Sequence, residues 1–210
     1  MAQAFLPRVA PGLLGLFLAA VLAGCASSGN GYINPNVNFG QMRRAAVVPF
    51  QNLSGDEIAD ERMYSVFLME LLKEDVLDIT DPGETFAAMR NLGIPMGTNL
   101  DAEQVVKLGR QLNVQALFFG IVEEYGVSRV DPRKGTEVTA VFGMFETETG
   151  TVVWRTQVHA TGSSTLKRLF GASSAGMYEV SRDAVRQASC CLPGRDCGAG
   201  GSAAPVSRPR

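Results

Sequence analysis

The sequence predicts a single α/β domain in which helices pack on a mixed sheet of about five strands. Two apolar runs, at 45–50 and 114–122, are typical of strands that are covered on both faces. Alternating apolar residues at 136–147 and 151–160 predict two long strands joined by a tight turn. With the strand at 114–122 they form an antiparallel C-terminal meander, and segments of helical periodicity supply the covering layers.

The first half of the domain alternates between strands and helices. Its predicted elements are, in order, a strand at 45–50, a loop at 51–56, a helix at 57–75, a strand at 76–80, a helix after Asp81 and a helix at 101–112. Acidic residues crowd the start of the 57–75 helix, where the helix dipole favours them. The apolar face of this helix consists of two rows, Met63-Phe67-Leu71 and Tyr64-Leu68-Leu72.

Local sequence also fixes where two helices begin. Asp81 before Pro82 is a strong helix start, and Asp101 with Gln104 three residues later is another. Gly109 lies inside the third helix, where it costs about 1 kcal/mol relative to Ala. We therefore expect Gly109 to mark a close approach between this helix and the sheet.

The second half of the domain is dominated by strands. The strand at 114–122 continues as a more exposed extension to 127, and its partners at 136–147 and 151–160 follow turns at 131–135 and 148–150. Residues 161–172 are predicted to be a loop. The last helix is predicted at 173–188, with Met177, Val180, Ala184 and Val185 as its apolar positions.

Residues 1–24 have the composition of a secretory signal. Arg8 precedes an uncharged apolar run from Leu13 to Leu22, which is shorter than the roughly 20 residues that span a bilayer. The run ends in Leu22-Ala23-Gly24-Cys25, which resembles the lipobox of bacterial lipoproteins. The resemblance implies that the signal is removed before Cys25, that the thiol carries a diacylglyceryl group and that the new amino group is acylated. Ala at position 26 favours, by the same resemblance, the outer membrane, with the domain facing the periplasm.

Two segments flank the domain, which is predicted to span 43–189. Residues 25–42 are rich in Ser, Gly, Asn and Pro, so we expect a lipidated, flexible tether that reaches at most ~60 Å. Residues 190–210 are rich in Gly, Ala and Pro, and we expect a disordered tail.

Three of the four cysteines lie together in the tail. The periplasm is oxidising, so we expect a disulfide from Cys190 or Cys191 to Cys197 across a turn that contains Pro193 and Gly194. One thiol is then left over. A metal site is not expected, because the single His of the chain, His159, lies on a predicted strand and cannot complete a ligand set.

The charge distribution argues against a nucleic-acid partner. The chain has net charge −2, Arg8 lies in the signal, and the tail holds three Arg and one Asp, so the 43–189 domain carries −5. Nucleic-acid binding depends on clustered Lys and Arg, which this balance does not favour.

The sequence contains no recognisable catalytic set and no cofactor motif. His159 alternates with the apolar positions of its strand, so we expect it to face solvent. Glu123 and Glu124 are adjacent on a strand and are therefore expected to point to opposite faces, which prevents them from sharing a substrate. The acidic residues at the first helix start are explained by the helix dipole without a bound cation.

Three segments together resemble a known family of envelope domains. They are the 45–50 strand followed by Asn52-Leu53-Ser54-Gly55-Asp56, the pair Leu108-Gly109-Arg110-Gln111-Leu112 and Ala116-Leu117-Phe118-Phe119-Gly120, and the hairpin at 148–154. Their order and spacing resemble the domain shared by the curli-secretion lipoprotein CsgG, the penicillin-binding-protein activator LpoB and the N-terminal domain of TolB. The resemblance covers roughly 45–160 and implies an α/β domain without catalytic activity.

These observations predict a lipid-anchored, non-enzymatic envelope protein that binds other periplasmic or outer-membrane proteins in envelope assembly, such as regulation of cell-wall synthesis or a secretion accessory role. The alternative is a subunit of an oligomeric secretion or flagellar-type assembly, so a homo-oligomer remains open. A third hypothesis, a hydrolase that acts on peptidoglycan, depends on His159 and is disfavoured.

Overall fold

The computed structural model describes residues 31–74, 77–128, 135–162 and 175–192. These residues form a mixed seven-stranded sheet with four helices packed on it, which confirms the predicted α/β class and the single domain. The strands are β1 (Gly31–Ile33), β2 (Arg44–Val47), β3 (Gln51–Asn52), β4 (Asp78–Ile79), β5 (Ala116–Val127), β6 (Thr136–Glu146) and β7 (Val152–Thr161). The helices are α1 (Ala59–Glu74), α2 (Pro82–Asn91), α3 (Ala102–Leu112) and α4 (Met177–Ser189), with a short 3₁₀ turn at Phe39–Gln41.

The sheet has the strand order β1-β7-β6-β5-β2-β4, and β3 also pairs with β5. β2 runs parallel to β4 and β5, whereas β5, β6 and β7 are antiparallel neighbours. The predicted C-terminal meander is therefore confirmed. Gly150, with φ of 73°, allows the tight turn between β6 and β7.

Helices cover the sheet on both faces. On one face α1 and α4 pack over an aromatic core in which Phe67 stacks on Phe142, with ring centroids 5.1 Å apart, and Trp154 is fully buried. On the other face α2 and α3 cover alternate residues of the central strands, including Leu117 and Phe119. Because successive residues of a strand point to opposite faces, the apolar run in β5 supplies both cores.

The helix starts follow the sequence signals. The side chain of Asp81 accepts hydrogen bonds from the amides of residues 83 and 84, and Asp101 forms a reciprocal capping box with Gln104. Gly109 lies against the sheet as expected, because a Cβ built on it would be 2.3 Å from the Cβ of Thr147.

The strand predicted at 45–50 is shorter in the structure. β2 ends at Val47, before Pro49, because proline has no N–H to donate to the ladder. The first two residues of the predicted loop at 51–56, Gln51 and Asn52, form the short strand β3.

The structure corrects the limits of the domain at both ends. The predicted tether extends to residue 42, but its part from residue 31 onward contacts the domain. β1 pairs with β7, and the amide of Asn34 donates to the carbonyl of Val153 at 2.8 Å. At the other end Trp154 Nε1 donates to the carbonyl of Cys191 at 2.8 Å, so the chain remains on the domain to residue 192. Both additions are short segments held by tertiary contacts, which local composition does not reveal.

Candidate protein-binding groove

A groove of about 600 Å³ lies between α1 and α4. Its floor includes Tyr125 of β5. Its walls are formed by Glu61, Arg62, Ser65, Val66 and Met69 of α1 and by Met177, Tyr178 and Ser181 of α4. The groove is therefore mainly apolar along its length and carries one acidic and one basic side chain.

A buried carboxylate ties the two walls together. Glu70 of α1 is 5% exposed and accepts hydrogen bonds from Lys73 Nζ at 2.7 Å and from Arg186 Nε of α4 at 3.3 Å. Burial alone would raise the pKa of Glu70, but the hydrogen bonds and charges of Lys73 and Arg186 outweigh it and lower the pKa below its usual value. The ionised carboxylate thus links α1 to α4 through Arg186.

Large apolar side chains are exposed along the rim of this groove. Met69 is 52% exposed and Tyr178 is 58% exposed, and Leu72 on the next turn of α1 is 53% exposed. The prediction that Leu72 belongs to the buried face of α1 is wrong, because the row Tyr64-Leu68-Leu72 turns out of the core at its C-terminal end. Exposed apolar side chains grouped beside a groove are typical of protein-binding surfaces.

One buried polar group in the groove lacks a partner. Ser181 is 1% exposed, lines the groove, and its hydroxyl forms no hydrogen bond within the described residues. Leaving such a hydroxyl unpaired costs about 1–3 kcal/mol. The hydroxyl is enclosed by protein atoms, so a partner in the groove would not reach it without a movement of the chain.

The sequence predicts neither Met69 nor Tyr178 as a functional residue. Met69 lies outside the two apolar rows of α1, and Tyr178 lies next to the apolar positions of α4. An apolar residue on the polar side of an amphipathic helix was the signal that could have identified them.

The structure also corrects the prediction for Glu123 and Glu124. The register between β5 and β6 shifts between Val122 and Glu124, so a β-bulge occurs at Glu123. Gln157 Nε2 donates to Glu123 at 2.7 Å, while the Thr139 hydroxyl donates to Glu124 at 2.6 Å. The two carboxylates therefore reach the same face of the sheet, because the bulge breaks the alternation from which opposite faces were inferred.

His159 belongs to the same polar cluster and is exposed as predicted. Its Nδ1 lies 2.8 Å from the Thr139 hydroxyl oxygen. Since that hydroxyl gives its single proton to Glu124, Nδ1 of His159 is the donor to Thr139. Each of these polar side chains therefore has a hydrogen-bond partner within the cluster, which lies on an exposed surface of the strands.

The acidic residues at the start of α1 form local contacts. Asp56 accepts a hydrogen bond from the amide of Ile58 at 3.1 Å and lies 3.8 Å from Arg62, and Asp60 accepts one from Asn52 at 3.1 Å. Across 31–74, 77–128, 135–162 and 175–192, no group of three or more His, Cys, Asp or Glu residues could hold a metal ion.

The predicted lipid and disulfide sites lie largely outside the described residues. Cys25 and Cys197 are both outside them, so lipidation and the bridge from Cys190 or Cys191 remain predictions. Cys191 is half-buried at the end of α4, where its Sγ lies 3.5 Å from the carbonyl oxygen of Gln187. In the part of the chain that the structure covers, no helix has the length and apolar character needed to cross a membrane.

Comparison with known proteins identifies the fold. No protein-family model and no curated protein sequence matches the chain. The PelC dodecamer from Paraburkholderia phytofirmans has a similar fold, with a TM-score of 0.52, 17% identity, and coverage of 77% of this chain and 96% of PelC. Lipoprotein GNA1162 from Neisseria meningitidis is also similar, with a TM-score of 0.51, 20% identity, and coverage of 69% of this chain and 95% of GNA1162.

Solved structures of LpoB also align with this chain. The LpoB C-terminal domain from Salmonella enterica aligns with a TM-score of 0.46 and 11% identity over 60% of this chain and 86% of that domain. A TM-score below 0.5 is too low to support an argument about function. At 17% and 20% sequence identity, PelC and GNA1162 share only the fold with this chain. The likeness to CsgG and TolB stays a prediction.

Proposed function

We propose that this chain is a lipid-anchored envelope protein of the outer membrane that faces the periplasm and acts by binding other envelope proteins, without catalysis. The observation that carries the proposal is the groove between α1 and α4, which is bordered by the exposed side chains of Met69 and Tyr178. The lipobox at Leu22–Cys25 supplies the anchor. The fold shared with GNA1162, which is named a lipoprotein, is consistent with both.

The groove favours a partner segment with two properties. An apolar side chain would pack between Met69 and Tyr178. Glu61 and Arg62 at the rim would then select for charges of the opposite sign.

Photo-crosslinking in cells tests this proposal. A photoreactive residue in place of Met69 should capture an envelope protein, whereas the same residue in place of Met96 should not. Met96 is a matched control, because it is 41% exposed but lies between α2 and α3, away from the groove. No adduct at position 69, or equal adducts at both positions, would remove the main support for a binding groove.

The second candidate is a subunit of a homo-oligomeric secretion or flagellar-type assembly. It is supported by the fold shared with PelC, which is a dodecamer. Light scattering of the lipidated protein in detergent distinguishes the candidates, because an assembly subunit forms a defined oligomer while a monomer argues against it. An adduct at Met69 with a second copy of the chain would support the same conclusion.

A further inference from the structure

We propose that the β1 edge of the sheet is a membrane-facing surface whose partner is the lipid surface that holds the anchor. This inference rests on the proposed lipid at Cys25. Among the described residues β1 is an edge strand of the sheet, and it is also the first described element after the lipobox. Because β1 pairs with β7, only residues 26–30 lie between Cys25 and the sheet, which is much less than the predicted tether of residues 25–42.

The remaining tether restricts how the domain can stand. Gly31 is six residues after Cys25, so the two Cα atoms are at most ~20–22 Å apart when the chain is fully extended. In the strand order, β4 is five positions from β1, which corresponds to about 24 Å at the usual strand spacing. The tether is therefore too short for the β4 edge to rest on the membrane with β1 on the far side.

The direction of β1 further specifies the contact. β1 is antiparallel to β7, with Gly31 opposite Thr156 and Ile33 opposite Trp154. The chain therefore enters β1 from the side of the sheet where β7 ends at Thr161. The corner formed by β1 and the Thr161 end of β7 is consequently the part of the domain closest to the anchor.

The exposed side chains of this edge fit a lipid headgroup layer. Tyr32 is 52% exposed, and exposed Arg155 stands opposite it on the same face of the sheet. Ile33, which is 39% exposed, points to the other face of the same edge. Tyrosine is enriched at membrane–water interfaces, and an arginine near the surface is attracted to anionic headgroups. Because the anchor and the short tether already hold the domain at the membrane, these side chains meet the lipid even when their own affinity for it is low.

Fluorescence quenching in vesicles tests the orientation. The full mature chain, lipidated in cells and with Cys190→Ser, Cys191→Ser and Cys197→Ser, receives an environment-sensitive fluorophore through Tyr32→Cys or through Asp78→Cys. Asp78 is the control because it lies on β4 at the opposite edge and its side chain is 70% exposed. The proteins are reconstituted into phosphatidylethanolamine and phosphatidylglycerol vesicles that contain headgroup spin-labelled lipid.

The inference predicts that quenching at position 32 is several-fold stronger than at position 78. Equal quenching, or stronger quenching at position 78, would overturn it. Mass spectrometry of the same preparations separates the two levels of the argument. An unmodified Cys25 would refute the lipid anchor and this inference together, whereas lipidated protein with the wrong quenching order would refute only the orientation.

Discussion

The link between α1 and α4 predicts a defined loss of stability when Glu70 is replaced by Gln. This change keeps the shape of the side chain but removes the charge that accepts hydrogen bonds from Lys73 and Arg186. A hydrogen bond to a charged group contributes about 1.5–3 kcal/mol. The two cationic side chains are 52% and 56% exposed, so they can return to water and each contribution is reduced. We therefore expect Glu70→Gln to lower the free energy of unfolding by about 2 kcal/mol, or Tm by about 4–8 °C.

The same residue predicts a pH dependence with a definite sign. The pKa of Glu70 is lower in the folded protein, so the unfolded chain binds its proton more readily. The stabilisation by the ionised Glu70 carboxylate is complete above about pH 4.3, the pKa of a glutamate in the unfolded chain. It is lost as the pH falls through the lower pKa that Glu70 has in the folded protein. The difference between wild type and Glu70→Gln should therefore be full at neutral pH and disappear in acid.

Urea unfolding of the soluble domain at several pH values measures both effects. Glu103→Gln is the matched control, since Glu103 forms an exposed pair with Lys107 in the first turn of α3 and should shift the unfolding midpoint much less than Glu70→Gln does. Equal stability of wild type and Glu70→Gln at neutral pH would refute the reasoning. A stability difference that persists unchanged in acid would show that the loss comes from packing rather than from the charge.

Three further predictions concern the anchor, the tail and the close approach of α3. Cys25→Ser should block processing of the signal and abolish labelling with radioactive fatty acid, and labelling equal to wild type would contradict the lipobox assignment. Peptide mapping without reduction should find Cys197 bridged to one of the cysteines at 190–191, whereas three free thiols in protein from the periplasmic side would exclude the bridge. Gly109→Ala should destabilise the domain by about 1–3 kcal/mol in spite of its better helix propensity, because its Cβ would overlap Thr147, and a gain in melting temperature would contradict this.

Local signals account for most of what the sequence predicts correctly. The starts of α2 and α3 depend on side chains within three residues of Asp81 and Asp101, and the meander depends on alternation within single strands. The close approach at Gly109 also follows from a local signal. A glycine inside a regular helix destabilises it, so its presence indicates a contact that leaves no room for a side chain, and here that contact is Thr147.

The features that the sequence does not predict depend on partners distant in the chain. β1 has only three residues and is a strand because β7 offers an open edge beside it. The bulge at Glu123 is a property of the register between β5 and β6, and no local pattern around Glu123 specifies it. The groove depends on how α1 and α4 pack together, and a polar contact between them joins Glu70 and Arg186, which are 116 residues apart. A binding surface made by two distant helices therefore requires the structure.

The affinity of the captured partner for groove variants tests the central claim most directly. Met69 is 52% exposed, so a partner that covers it buries about half of the side chain, which contributes about 0.8–1.5 kcal/mol. Met69→Glu loses this contribution and also places a carboxylate in an apolar contact, so it should weaken binding at least about tenfold. Met96→Glu introduces the same change at a methionine outside the groove and should leave the affinity at the wild-type value. If both variants bind the partner as tightly as wild type, or if both weaken it equally, the groove between α1 and α4 is not the binding surface.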